Sequence, residues 1–261
     1  MRLRFLGTGT SHGVPVLGCS CPVCSSSDTR DVRYRSSMLI TGEGGEYILI
    51  DAGPEFRLQG LAAGLHRLDA VLITHAHADH IHGLDDVRPL TRGRILPVYA
   101  SAYDAEEIRT RFAYAFGHGQ EGGGKPRLDL VEIGPEGANV GLHHVTPIPL
   151  MHGSRPILGY RIASLAYLTD CSALPEASRS LLAGLDILVL DALRLRPHPT
   201  HFSLGEAIDL ARTLQPKRLL LTHICHDLSH AQIQAYCDAQ GLPFPASPAF
   251  DGQELDLPYT L

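Results

Sequence analysis

No stretch of this 261-residue chain reaches eighteen consecutive apolar residues, so no membrane-spanning helix is expected. The opening, Met1-Arg2-Leu3-Arg4-Phe5-Leu6-Gly7, carries basic residues with no long apolar run behind them. It reads as a first β-strand, not a signal peptide, and a cytoplasmic location follows as the default. Positive charge is not in excess. A formal net charge of −6 with neutral histidines argues against a broad basic surface for extended nucleic acid and leaves room only for a local basic pocket. Repeats of fixed period are lacking. The one low-complexity piece, Gly117–Pro126, reads as a surface loop too short to be an interdomain linker. The expectation is one domain spanning residues 1–261, with no membrane partner.

Short apolar runs alternate with helical patterns. Leu3–Leu6, Tyr47–Ile50, Ala70–Ile73, Pro97–Ala100, Ile187–Leu190 and Arg218–Leu221 read as strands, with Arg161–Leu168 as a further candidate. Several are continuous rather than alternating, as strands buried on both faces are. Helical patterns cover Glu55–Gly64, Tyr103–Phe116, Leu204–Leu214 and His230–Ala239. Ser203 and Glu206 fit a capping box at the start of the third, and Pro216 stops it. The mixture predicts an α/β protein of four layers, αββα.

Fifteen histidines and six cysteines are conspicuous, and their placement matters more than their number. Leu72-Ile73-Thr74-His75-Ala76-His77-Ala78-Asp79-His80-Ile81-His82-Gly83 runs from an apolar strand into H-x-H-x-D-H. Imidazole and carboxylate suit zinc, manganese or iron. Five ligand-type residues in eight positions are hard to obtain from a polar loop that merely collects histidines. Cys19, Cys21 and Cys24 form a second cluster, which in a chain without an export signal reads as a metal site rather than a disulfide set. It needs a fourth donor.

The T-H-x-H-x-D-H-x-x-G run resembles the signature of the metallo-β-lactamase superfamily. Relatives place further ligands at later strand ends, and this chain offers His152, Asp170 and His223 in that order. The resemblance implies one metal on His75, His77 and His152, a second on Asp79, His80 and His223, and Asp170 bridging the two. It implies hydroxide held between the ions as the nucleophile, oriented by Asp79. Neither Ser154 nor Cys171 is needed as a covalent nucleophile.

Three features narrow the branch. Phe5-Leu6-Gly7-Thr8-Gly9-Thr10-Ser11-His12-Gly13 resembles the opening of the phosphodiesterase branch. Three clustered cysteines with a histidine just after the last active-site ligand resemble the cyclic-phosphate phosphodiesterases of the carbon–phosphorus lyase pathway of phosphonate catabolism. This implies a structural zinc on Cys19, Cys21, Cys24 and His226, with Cys225 competing for the fourth position. His201, just before the capped helix, fits the histidine that protonates the leaving oxygen in that branch; a loop histidine helping to cap the helix is the plain alternative, and His198 is a weaker candidate. No insertion is large enough for the arm with which the tRNA endonucleases of the branch grip their substrate. The expected function is hydrolysis of a small phosphate diester, best guess 5-phosphoribosyl 1,2-cyclic phosphate, with His201 as general acid. Two active-site metals (manganese or zinc, with iron a third option) would serve it. Arg155, Arg194 and Arg196 flank the active-site loops and could meet a terminal phosphate. The alternatives are a thioesterase or lactonase on the same metals, or a non-hydrolytic cofactor-biosynthesis protein on the same fold. The resemblance leaves a homodimer open.

Overall fold

A computed structural model describes residues 1–117 and 124–257. The expected loop Gly117–Pro126 therefore lies partly outside the described residues. Along the chain run β1 (Arg2–Gly7), β2 (Ser37–Thr41), β3 (Tyr47–Ile50), α1 (Phe56–Ala62), β4 (Ala70–Leu72), α2 (Ala78–Ile81), β5 (Leu96–Ala100), α3 (Ala102–Arg111), α4 (Ala113–Phe116) and β6 (Leu128–Glu132). The second half has β7 (Ala138–Val140), β8 (His143–His152), β9 (Arg155–Ile162), β10 (Leu165–Leu168), α5 (Glu176–Arg179), β11 (Ile187–Asp191), α6 (Leu204–Leu214), β12 (Arg218–Thr222), α7 (His230–Asp238), β13 (Ala246–Pro248) and β14 (Glu254–Asp256).

The strands form two seven-stranded sheets, ordered β14-β1-β2-β3-β4-β5-β6 and β13-β12-β11-β10-β9-β8-β7. Side chains alternate across each strand, and here both faces are covered. Ile48, Ile50, Leu72, Tyr167, Val189 and Leu220 fill the layer between the sheets. Leu49, Val71 and Val98 pack outward with Phe56 of α1 and Ile108 of α3. Leu188, Leu190, Leu219 and Leu221 pack outward with Leu204 and Ile208 of α6 and Ile233 of α7. This is the expected αββα arrangement, and it explains why β3, β11 and β12 read as unbroken apolar runs. No helix among the described residues is long and apolar enough to cross a membrane.

Two local expectations are corrected. Arg161–Leu168 is not one strand but the end of β9 and all of β10, with Ala163 at φ 53° turning the corner. The pattern Tyr103–Phe116 breaks at Phe112, whose φ of −110° and ψ of 33° separate α3 from α4. β8 was hidden by Pro147 and Pro149. Both sit where β8 has β9 on one side and has run past the end of β7 on the other, so the missing N–H groups cost no ladder bonds. The capping box on α6 is present, Ser203 N donating to Glu206 Oε2 at 2.8 Å, and Gln215 closes the helix at φ 51° before Pro216.

Candidate metal centre

β3 and β4 are parallel, as are β10, β11 and β12. The histidine motif and the later candidate ligands leave the carboxyl ends of these strands, or the end of β8, at one edge of the sandwich. In open α/β sheets, that edge is where ligands bind. His75 and His77 follow β4, Asp79 and His80 lie in α2, His152 ends β8, Asp170 follows β10 and His223 follows β12. Gly83 permits the turn after α2: a Cβ there would run into the Gly53 carbonyl and Phe56.

The donor atoms converge. His75, His77 and His152 come within ligand reach of one another, as do His75, His80 and Asp170. His75 Nε2 stands 2.9 Å from His77 Nδ1. His80 Nε2 lies 3.2 Å from an Asp79 oxygen and 3.3 Å from Asp170 Oδ1, and His223 Nδ1 lies 2.8 Å from the same Asp170 oxygen. Asp79 and His223 thus join through these pair contacts. His201 also comes into reach of His152 and Asp170.

Buried neighbours aim these rings. Asp51, fully buried at the end of β3, accepts from Thr74 N and Thr74 Oγ1, both at 2.8 Å, and from His80 Nδ1 at 2.7 Å. His80 therefore turns Nε2 inward, where it is buried without a hydrogen bond. His152 Nδ1 donates to the Thr200 carbonyl at 2.9 Å, likewise leaving Nε2 to the site. Such outer partners fix the tautomer a metal needs. Asp191, at the end of β11, holds His201 Nδ1 at 2.8 Å, and Ser36 Oγ lies 3.2 Å from His223 Nδ1. Asp51, Asp170 and His223 all adopt left-handed backbone, φ 57–58°. Asp51, Asp191, Ser36 and Thr200 were not anticipated. The available signal was a carboxylate closing an apolar run, at Ile50-Asp51 and Leu190-Asp191.

The electrostatics fit bound cations. Burial lowers the pKa of His75, His77 and His152, holding them in the neutral, ligating form. Burial acts the same way on His80, yet the carboxylates of Asp170, Asp79 and Asp51 outweigh it and raise its pKa. Three carboxylates around one buried ring are a charge arrangement that divalent ions complete.

The cysteine cluster assembles as well. Cys19, Cys21 and Cys24 Sγ stand 3.4, 3.5 and 3.4 Å from His226 Nδ1. A tetrahedral zinc with S at 2.3 Å and N near 2.05 Å requires S···N of about 3.6 Å. Cys225 is outside the cluster: its sulfur accepts from Asp227 N, and burial pushes its thiol up to about 11. The loop is further fastened by Arg33, which donates to the Cys225 and Leu228 carbonyls and to Asp31.

Residues 46–224 match the family described as beta-lactamase superfamily domain. The chain belongs to that family. It is 41% identical to a crystallised diphosphatase of the PhnP family, covering 100% of this chain and 99% of that one with a TM-score of 0.90. An octanoyltransferase of Porphyromonas gingivalis is 42% identical over 87% of this chain, which spans only 46% of that protein's length. Coenzyme PQQ synthesis protein B of Methylobacterium nodulans is 28% identical over 73% of this chain and 72% of its own. Membership of the superfamily implies divalent metal at the histidine–aspartate cluster.

Proposed function

We propose that this chain is a metal-dependent phosphodiesterase of small phosphate diesters. His75, His77 and His152 would hold one divalent ion and Asp79, His80 and His223 a second, with Asp170 a shared ligand. Manganese or zinc suits the donors, and the cysteine site takes zinc. Bound there, the ions supply Lewis acidity toward phosphoryl oxygens and lower the pKa of water. Asp79 would orient the attacking water.

The observation that carries the reading is the His201–Asp191 pair. The His201 ring lies 4.8 Å from that of His152 and 4.7 Å from that of His223. Asp191 occupies Nδ1, so Nε2 is the free proton-transfer atom. Burial lowers the pKa of His201, which strengthens the imidazolium as an acid. A sugar alkoxide leaving phosphorus needs that proton, whereas a thiolate leaving a thioester does not. The PhnP-family diphosphatase relative supports phosphoester chemistry. Cys171, next to Asp170, is no acyl-accepting nucleophile, since it is fully buried and burial pushes its thiol far up. The favoured substrate is 5-phosphoribosyl 1,2-cyclic phosphate.

The test compares wild type and His201→Ala, loaded with manganese, on a ribose cyclic phosphate and on bis(p-nitrophenyl) phosphate. Nitrophenolate departs without a proton. Loss of general acid should cut kcat on the sugar diester roughly 100–10,000-fold and on the nitrophenyl diester far less. Equal losses on both, or thioester turnover indifferent to His201, would overturn the reading.

A further inference from the structure

His75 and His77 are joined by one residue, Ala76, which is fully buried and lies between the end of β4 at Leu72 and the start of α2 at Ala78. Its N–H and C=O belong to neither element, and buried backbone groups need partners. Both partners come from α3. Ala76 N donates to Asp104 Oδ1 at 2.9 Å, and Arg111 donates to the Ala76 carbonyl. Asp104 is itself buried and stands three residues after the N-cap, Ser101. A carboxylate at that position commonly turns back to the N-cap N–H. Here Ser101 Oγ donates to Oδ2 at 2.6 Å, and Oδ1 faces the histidine loop.

The same Oδ1 accepts from Arg155 Nη2 at 2.6 Å. Arg155 is the strand partner of His152 across the β8–β9 hairpin, and its guanidinium lies 5.1 Å from the centre of the Tyr103 ring. One carboxylate oxygen thus ties the segment between His75 and His77 to the hairpin that presents His152. Of the arginines singled out in the sequence, Arg155 is engaged in this contact, and Arg196 pairs with Asp227 at 3.0 Å. We infer that Asp104 is the positioning residue of the first metal, setting the spacing of His75, His77 and His152 without touching the ion. The inference rests on the assignment of those three histidines to one ion. The ligands of the second position are held by other contacts. Asp51 aims His80, Ala52 N donates to the His80 carbonyl at 2.8 Å, and Ser36 and Asp170 meet His223. Asp104 therefore acts on one ion and spares the other.

The test titrates manganese calorimetrically into protein that keeps zinc at the cysteine cluster and has been stripped of active-site metal. Two backgrounds isolate the ions: His223→Ala leaves the first position and His152→Ala the second. Asp104→Ala should weaken manganese binding roughly 10–100-fold in the His223→Ala background and less than about twofold in the His152→Ala background. Asp104→Asn keeps an oxygen for Ala76 N and an NH2 group for Ser101 Oγ, and should stay within about threefold of its parent. Arg111→Met removes the donor to the Ala76 carbonyl from a partly exposed side chain. It should weaken the first position about 3–10-fold, and it carries the test if Asp104→Ala does not fold. Unchanged affinity at the first position, equal weakening at both, or an asparagine variant no better than alanine overturns the inference while leaving the metal assignment intact. If His223→Ala and His152→Ala do not each leave one manganese site, the two-ion assignment fails and the inference with it.

Discussion

Replacing Asp51 with asparagine should disable one metal position without touching any residue that faces the metal. The carboxylate accepts three hydrogen bonds: Thr74 N on Oδ1, and Thr74 Oγ1 and His80 Nδ1 on Oδ2. If the amide keeps its oxygen on Thr74 N, its NH2 group faces His80 Nδ1. Two N–H donors cannot share that contact, so His80 must change tautomer and accept from the amide. The proton then moves to Nε2, the atom that points between Asp79 and Asp170. A protonated Nε2 cannot ligate. Changes to such outer partners cost about 10–100-fold in metal affinity, or about 1.4–2.8 kcal/mol. Calorimetric titration of metal-free protein with manganese would read this as selective weakening of one binding event. Zinc held by the cysteine cluster, measured by elemental analysis, should be unchanged. Unaltered affinity at both positions in a folded Asp51→Asn protein would refute the argument that this carboxylate sets the His80 tautomer.

Two further outcomes are expected. Asp251, buried beside Thr8 and Tyr34, has its carboxyl pushed up to about 7 by burial, so the folded protein holds a proton that the unfolded chain releases near pH 4. Stability therefore falls as pH rises from about 4 to about 7. Asp251→Asn should flatten that part of a Tm-against-pH curve, and an unchanged slope between pH 5 and 7 would count against it. Cys24→Ser should release the structural zinc and lower Tm by about 5 °C or more, read by thermal unfolding with parallel zinc analysis; retained zinc with unchanged Tm would dismiss the four-ligand assignment.

The candidate ligand groups were legible because their chemistry is concentrated. Four donors in H-x-H-x-D-H leave little room for another interpretation, and the family order then pointed to single residues at distant strand ends. The αββα layering was legible from apolar runs such as Ile187–Leu190, continuous because each has neighbours on both faces. What escaped was whatever depends on pairing across the chain. Asp51 meets His80 across 29 positions and Ser36 meets His223 across 187. A lone aspartate after a strand, or a lone serine before one, announces neither. The β9–β10 corner escaped for the opposite reason: its turn residues, Ala163 and Ser164, carry no glycine or proline to mark it.

The left-handed backbone at Asp51, Asp170 and His223 sets two kinds of selection against each other. Each position would relax by about 1 kcal/mol or more as glycine, which adopts that conformation freely. At Asp51 that gain is outweighed, because glycine would leave Thr74 N, Thr74 Oγ1 and His80 Nδ1 buried without their acceptor; at Asp170 and His223 a library of metal-free protein screened only for heat resistance would admit glycine, and a library screened for turnover would hold the polar side chains. The places where two such screens disagree would trace the outline of the working site on the sandwich, without any reference to a substrate.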